Sequence, residues 1–125
     1  MAEILSSGYQ TIRDFANSSA AVPSQWDYIA VYDDTGSEVT RVSIVGDSRC
    51  QWLDVDGDNI LKIEFDITGS DSDISLPVTL EKSAVWNDTS GNGGTQITEK
   101  ESFASATLNQ SGDSVTVTHT IKIPQ

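Results

Sequence analysis

The chain has 125 residues, with 7 Lys plus Arg against 19 Asp plus Glu, and its net charge is −12. This length is typical of one compact domain, so we expect residues 1–125 to form a single domain. Because such a surface repels phosphate groups, the charge argues against a nucleic-acid partner and against an anionic membrane surface. No apolar run approaches the roughly 18 residues that a membrane span requires.

One short helix is predicted in the N-terminal segment 1–20. Within residues 4–16, the side chains of Leu5, Tyr9, Ile12 and Phe15 recur at helical spacing and share one face. Ser6 or Ser7 is a suitable N-cap. We therefore expect this face to pack against the rest of the domain.

Alternation of apolar and polar residues predicts strands from residue 27 onward. The predicted strands are 27–32, 38–45, 50–55, 59–67, 74–80, 101–108 and 114–123, with a short apolar piece at 83–86. Pro77 inside the fifth strand predicts an edge strand or a bulge. The expected fold is mostly β, an antiparallel sandwich of about seven to eight strands with the one helix.

Three aspartates alternate with other residues in a short segment, and two interpretations of it stay open. Asp54, Asp56 and Asp58 could supply oxygen ligands to a hard cation such as calcium. The pair Asp56-Gly57 is also a common hairpin turn between two strands. We predict the turn, with no tightly bound metal. Asp71 and Asp73 are expected in a solvated loop.

The chain has one cysteine, Cys50, and one histidine, His119. An internal disulfide, a cysteine-only zinc site and a multi-histidine metal centre are therefore excluded. His119 alternates with Val117 and Ile121 in the last predicted strand, so we expect a core histidine rather than a catalytic one. We predict a protein that is not an enzyme, with no catalytic residues and no cofactor.

Other candidate features lie outside the apolar strand faces. Three sequons for N-glycosylation begin at Asn17, Asn87 and Asn109, all in predicted loops. The tryptophans could line a sugar-binding face or lie in the core or at its rim; they are Trp26, Trp52 and Trp86.

Several segments resemble small structural proteins of tailed viruses, which are commonly labelled tail-fibre or minor virion proteins. The opening similarity covers residues 8–15, 26–34 and 38–41, and the closing strand at 111–121 is also similar. The chain departs from the family at 84–86, where Ala-Val-Trp replaces Gly-Leu-Phe, and at His119, where the family often has Trp. The resemblance implies a structural role with no catalytic residues to transfer.

The resemblance implies a virion location, on the tail as a fibre or baseplate protein, or on the capsid as a decoration or turret protein. The expected partners are other virion proteins, further copies of this chain in a homo-oligomer, and a host receptor or glycan. The alternative hypothesis is a calcium-dependent glycan-binding sandwich, with Asp54, Asp56 and Asp58 at the ion. Excess carboxylate with few lysines also resembles the composition of halophilic proteins, which suggests a virus of a halophilic host.

The charge of −12 predicts that folding depends on salt. Self-repulsion opposes compaction, and salt at molar concentration reduces the screening length to about 3 Å. The melting midpoint, followed by circular dichroism, should rise from dilute buffer to molar sodium chloride. Sulfate also strengthens apolar burial, so chloride is the deciding salt, and a midpoint that stays constant in chloride contradicts the prediction.

Overall fold

The computed structural model describes residues 1–16, 26–53 and 60–123. One α-helix, α1 (Ser6–Ala16), precedes the strands. The strands within the described residues are β1 (Tyr28–Asp33), β2 (Glu38–Ser43), β3 (Cys50–Leu53), β4 (Ile60–Thr68), β5 (Val78–Trp86), β6 (Glu101–Leu108) and β7 (Ser114–Lys122). None of the described helices is long and apolar enough to cross a membrane.

The strands form two antiparallel sheets, which confirms the predicted β-sandwich. The first sheet has the order β2-β1-β5-β6, and the second has the order β3-β4-β7. Alternation along each strand sends every second side chain to the interior. Fully buried apolar residues from both sheets share one core cluster, namely Ile29, Val31, Ile63, Phe65, Ile67, Leu80, Val85 and Ile121.

Two sequence predictions about strands and helix need correction. Pro77 lies outside the strands and immediately before β5, which is a central strand between β1 and β6, so the edge alternative is wrong. The bulge alternative has a counterpart within β5, whose register with both neighbours shifts between Leu80 and Lys82. The predicted pieces 74–80 and 83–86 are replaced by the continuous strand β5. In α1, Ile12 was expected on the packed face, but 45% of it is exposed.

The N-terminal residues link the two sheets along one margin of the sandwich. The amide of Ala2 donates to the carbonyl of Thr120 at 2.7 Å, and the amide of Lys122 donates to the carbonyl of Ala2 at 3.0 Å. Two residues later, Ile4 pairs with Thr98, which lies in the segment that follows β5. Ala2 is fully buried as a result, and this segment closes the sandwich beside β7.

Arg49 closes the opposite margin, where β2 leads into β3. Its guanidinium uses five N–H donors on three carboxylates, which belong to Asp47, Asp71 and Asp73 at 2.8 to 3.0 Å. Asp73 also accepts a hydrogen bond from Thr40 of β2 at 2.6 Å. The expectation that Asp71 and Asp73 lie in a merely solvated loop is therefore wrong, because both bind Arg49.

The outer face of the four-stranded sheet carries aromatic rings stacked with cations. The guanidinium of Arg41 lies 3.7 Å from the centroid of the Trp86 ring, and the ammonium of Lys100 lies 4.1 Å from that of Tyr32. The indole N–H of Trp86 donates to the Tyr32 hydroxyl at 2.8 Å. Cation–π contacts of this kind stabilise the face. Ala30, which packs with Tyr32 and Trp86 on this face, is fully buried.

Replacing Arg49 should destabilise the fold strongly, because three carboxylates would be left together without their cation. Hydrogen bonds from Arg49 hold the pKa of Asp47 and of Asp73 below the ordinary value. We expect Arg49→Met to lower the free energy of unfolding, measured in urea, by about 2 kcal/mol after allowance for partial exposure of the cluster.

Arg13 provides the matched control, because its exposed side chain donates to Gln10 within α1. Arg13→Met removes the same charge and should change stability by less than about 0.5 kcal/mol. Equal losses in the two variants would show that net charge, rather than the Arg49 cluster, determines stability.

Candidate functional site

His119 is fully buried on the inner face of β7, as the strand alternation predicted. Its Nδ1 lies 2.7 Å from the hydroxyl of Ser83 on β5, across the core. Its Nε2 lies 3.1 Å from the hydroxyl of Thr98. The imidazole thus joins the two sheets and the segment that follows β5 by hydrogen bonds inside an apolar core.

The bonds of Thr98 assign the tautomer of His119. The Thr98 hydroxyl donates to the Glu99 carbonyl at 3.1 Å and accepts from the Val85 amide at 3.1 Å. With its own proton used, it accepts the proton of His119 Nε2. Nδ1 is then the acceptor for the Ser83 hydroxyl, and the ring is neutral with both nitrogens satisfied. Burial, assisted by the positive N-terminal amine, lowers the pKa of His119 to about 4.

The contact between Ser83 and His119 has the composition of a nucleophile and its base. Both residues are, however, 0% exposed. No substrate reaches either side chain in this conformation, and the second imidazole nitrogen bonds to Thr98 instead of a carboxylate. The geometry therefore supports a role for this pair in holding the sheets together.

An apolar groove at one end of the sandwich is the best candidate for a binding site. We call it the end groove; it has a volume of about 380 Å³ and is lined by Trp26, Asp27, Val45, Trp52 and Leu61. Val45 is 85% exposed, and Trp52 and Leu61 are each 37% exposed. Exposed apolar side chains that cluster in this way commonly mark a binding surface.

The strand register places the end groove at the margin of the core. Trp52 is opposite Ile63 in the pairing of β3 with β4, so Trp52 and Leu61 lie on the interior side of this sheet. Ile63 is covered by the opposing sheet, whereas Leu61 lies beyond that cover. The alternation that predicted β4 is therefore continuous, but its first apolar position faces the groove.

Trp26 and Val45 complete the end groove from the other sheet. The amide of Ile44 donates to the carbonyl of Asp27 at 2.7 Å, which holds the chain before β1 beside the turn after β2. The indole N–H of Trp26 donates to Thr11 of α1 at 2.7 Å, and this bond fixes the ring. The pattern of tryptophans indicated Trp26 and Trp52, but nothing in the sequence indicated Val45.

Asp27 gives the end groove an acidic side. Its pKa is raised, first by partial burial and then by the neighbouring charge of Asp88. A ligand that brought a hydrogen-bond donor or a positive charge to Asp27 would relieve both effects. The lining can therefore bind an apolar group together with a donor, and the described residues that form it include no nucleophilic side chain such as Ser, Cys or Lys.

The candidate metal ligands Asp54, Asp56 and Asp58 lie outside the described residues, so the hairpin turn predicted there stays a prediction. Among the described residues, no group of three or more His, Cys, Asp or Glu side chains could hold a metal ion. Cys50 is buried, and burial raises the pKa of its thiol to about 12, which keeps it protonated at neutral pH.

The sequons differ in how their asparagine is held. The side-chain carbonyl of Asn87 accepts a hydrogen bond from the Thr95 amide at 2.7 Å. Asn109 is exposed in the turn between β6 and β7, where its backbone N–H donates to the carboxylate of Asp113 at 2.8 Å. The sequon at Asn17 lies outside the described residues.

Comparison of the chain with protein-family models, with curated proteins and with solved structures found no match.

The buried neutral imidazole predicts a defined dependence of stability on pH. The unfolded histidine has a pKa of about 6.5, against about 4 in the fold, so between these values the unfolded chain binds more protons. Stability should therefore be constant above about pH 6.5 and should fall by up to about 3 kcal/mol as the pH drops to 4. Urea denaturation across this range measures the loss.

The variant His119→Phe is the control for this measurement. Both proteins contain the same carboxylates, so the difference between their stabilities at each pH reports the contribution of His119 alone. At neutral pH the variant should fold but lose about 1–3 kcal/mol, since the Ser83 hydroxyl is left buried without its partner. Adding Ser83→Ala should recover part of that loss. A difference between wild type and His119→Phe that is the same at pH 4.5 and pH 7 would contradict the assignment.

Proposed function

We propose that this protein is a non-enzymatic structural protein of a tailed virus, located on the tail or on the capsid surface. The observation that supports the proposal best is the end groove, an exposed apolar surface on a protein of charge −12. The resemblance of residues 8–15, 26–34, 38–41 and 111–121 to virion proteins indicates the class of partner. The end groove would bind a neighbouring virion protein.

The physical argument begins with the cost of leaving the groove in water. Val45, Trp52 and Leu61 could be covered by a partner at a gain of roughly 25 cal/mol for each Å² of apolar surface removed from solvent. Nearby acidic groups such as Asp27 would repel a partner of the same sign, so the groove selects an apolar or basic segment. A contact of this kind suits assembly better than catalysis.

Glycan binding is a second candidate function, because two tryptophans and a carboxylate meet in the end groove. Indole faces pack against the apolar faces of sugars, and Asp27 can accept hydrogen bonds from hydroxyl groups. In this alternative the ligand is a free saccharide. Titration of a glycan library with the protein, followed by tryptophan fluorescence, would then give saturable binding that Trp52→Ser abolishes.

The assembly proposal is tested in purified virus particles by quantitative mass spectrometry. The wild-type chain should be present at a fixed ratio to the major virion proteins. Trp52→Ser should fold normally but lower incorporation by about tenfold or more, since a buried tryptophan commonly dominates an interface. The matched control is Ile12→Ser, an exposed apolar residue that does not line the groove. Absence of the wild-type chain from particles would refute the function.

A further inference from the structure

Two arginines of this structure are held in the same way, against an aromatic ring and beside carboxylates. The guanidinium of Arg41 lies 3.7 Å from the centroid of the Trp86 ring and donates to the carboxylate of Glu38 at 2.7 and 2.8 Å. The guanidinium of Arg49 lies 5.1 Å from the centroid of the Phe65 ring while it bonds to its three aspartates. A ring together with a carboxylate is therefore the environment in which this fold binds a guanidinium.

The end groove contains the same two parts without the cation. Trp26 and Trp52 supply aromatic surface, and Asp27 supplies the carboxylate. Within the described part of the chain, no cation pairs with Asp27 and no donor bonds to its side chain. The groove therefore presents a carboxylate and rings to whatever enters it from solution.

A second carboxylate increases the negative charge beside the groove. Partial burial raises the pKa of Asp27 first, and the nearby charge of Asp88 raises it further. One oxygen of Asp88 accepts hydrogen bonds from the amide of Thr89 and the side chain of Asn92, at 2.8 and 3.1 Å. No ion pair between described residues includes Asp88. Charge complementarity therefore favours a cationic group in the groove.

Among cationic groups, the side chain of arginine matches the lining best. Its aliphatic stem can pack on Val45 and Leu61, which are both exposed, while its charged end stays at the polar side of the groove. The planar guanidinium stacks on indole rings and bonds to carboxylates in a fixed geometry. It is also more weakly hydrated than the ammonium of lysine, so less hydration is lost when it enters an apolar groove.

We propose that the end groove binds an arginine side chain of a neighbouring virion protein, with the guanidinium at Asp27 and a tryptophan ring. The stem would lie against Val45 and Leu61. This inference rests on the proposed function, because it names the chemistry of the partner that the groove would bind in the particle. A partner segment with an apolar residue or a lysine in place of the arginine would bind more weakly.

Titration of the isotopically labelled protein with matched peptides tests the proposal by nuclear magnetic resonance. Acetyl-Leu-Arg-Leu-amide and its citrulline analogue have nearly the same shape, but citrulline carries no charge. We expect the arginine peptide to bind with a dissociation constant of about 1 mM, since a short contact offsets little of the cost of association. The citrulline peptide should bind about tenfold more weakly, because its hydrogen bonds to a carboxylate are not assisted by charge.

The indole N–H resonances report where the peptide binds. The signals of Trp26 and Trp52 should shift. Trp86 should not shift, because its ring is stacked with Arg41 and its N–H bonds to Tyr32. Equal affinity for the arginine and citrulline peptides, a shift of Trp86 alone, or no shift at up to about 10 mM peptide would overturn the proposal.

Two asparagine variants with the same change of net charge provide the matched control. Asp27→Asn should weaken binding of the arginine peptide by about tenfold and leave the affinity for the citrulline peptide nearly unchanged. Asp34→Asn, in the exposed turn after β1 and outside the groove lining, should change both affinities by less than about twofold, since salt screens a distant charge. Equal weakening in the two variants would show an effect of net charge alone and refute the site.

Incorporation into virus particles separates this inference from the proposed function. If the wild-type chain is incorporated, and Asp27→Asn is incorporated as well as Asp34→Asn, the arginine contact is refuted and the function stands. If the arginine peptide binds as described but the wild-type chain is absent from particles, the function is refuted and the arginine specificity of the groove stands.

Other occupants of the end groove give distinct results. Sedimentation velocity would reveal a dimer, and a dimer that both Trp52→Ser and Arg13→Met abolish would make a second copy of this chain the occupant. Saturable binding of a free saccharide, with no binding of the arginine peptide, would make the occupant a glycan. Either result would overturn the proposal.

Discussion

The hydrogen bonds of His119 are the constraint on which the relation between the two sheets depends. Apolar side chains pack without strong directional preference, so they do not by themselves fix how one sheet lies on the other. The imidazole bonds to Ser83 of the first sheet and to Thr98 beside it. A shift of either sheet would leave buried polar atoms unpaired, which costs more than the lost contact alone.

Thr98 extends this constraint to the N-terminal segment. It bonds to His119 and also pairs with Ile4, while Ala2 of the same segment pairs with β7. The sandwich is thus held at its centre by His119 and at one margin by residues 1–4. Arg49 and its carboxylates hold the other margin. An acidic protein with few cations therefore places one of them where three carboxylates would otherwise repel one another.

Much of the fold was predictable from the sequence because the alternation of side chains in β4 and β7 is regular. The same alternation placed His119 in the core. It could not show that Pro77 precedes a central strand, since strand order depends on contacts between distant segments. It also gave no indication that Arg49 would gather Asp47, Asp71 and Asp73, because these residues meet only when two loops are brought together.

The end groove was predictable only in part, for the same reason. The sequence analysis singled out Trp26 and Trp52 as candidate binding residues. They lie together with Val45 and Leu61 only because the ends of the two sheets come together at this groove. The calcium hypothesis concerned Asp54, Asp56 and Asp58, which lie outside the described residues and on which the structure has no bearing. A groove formed by residues from four segments has no local pattern that sequence reasoning can recognise.

The pairing of Ala2 with β7 has a consequence for synthesis on the ribosome. Chains grow from the N-terminus, so Ala2 emerges before all the described strands, yet the strand that receives it, β7, is the last of them and ends at Lys122. Ala2 must remain without its final partner until Thr120 and Lys122 have left the exit tunnel. His119 also lies in β7, so the buried hydroxyl of Ser83 lacks this hydrogen-bond partner until the same strand has emerged. Vectorial folding can therefore assemble β1, β2 and β5 early, but the sandwich cannot close until β7 has been synthesised and has emerged.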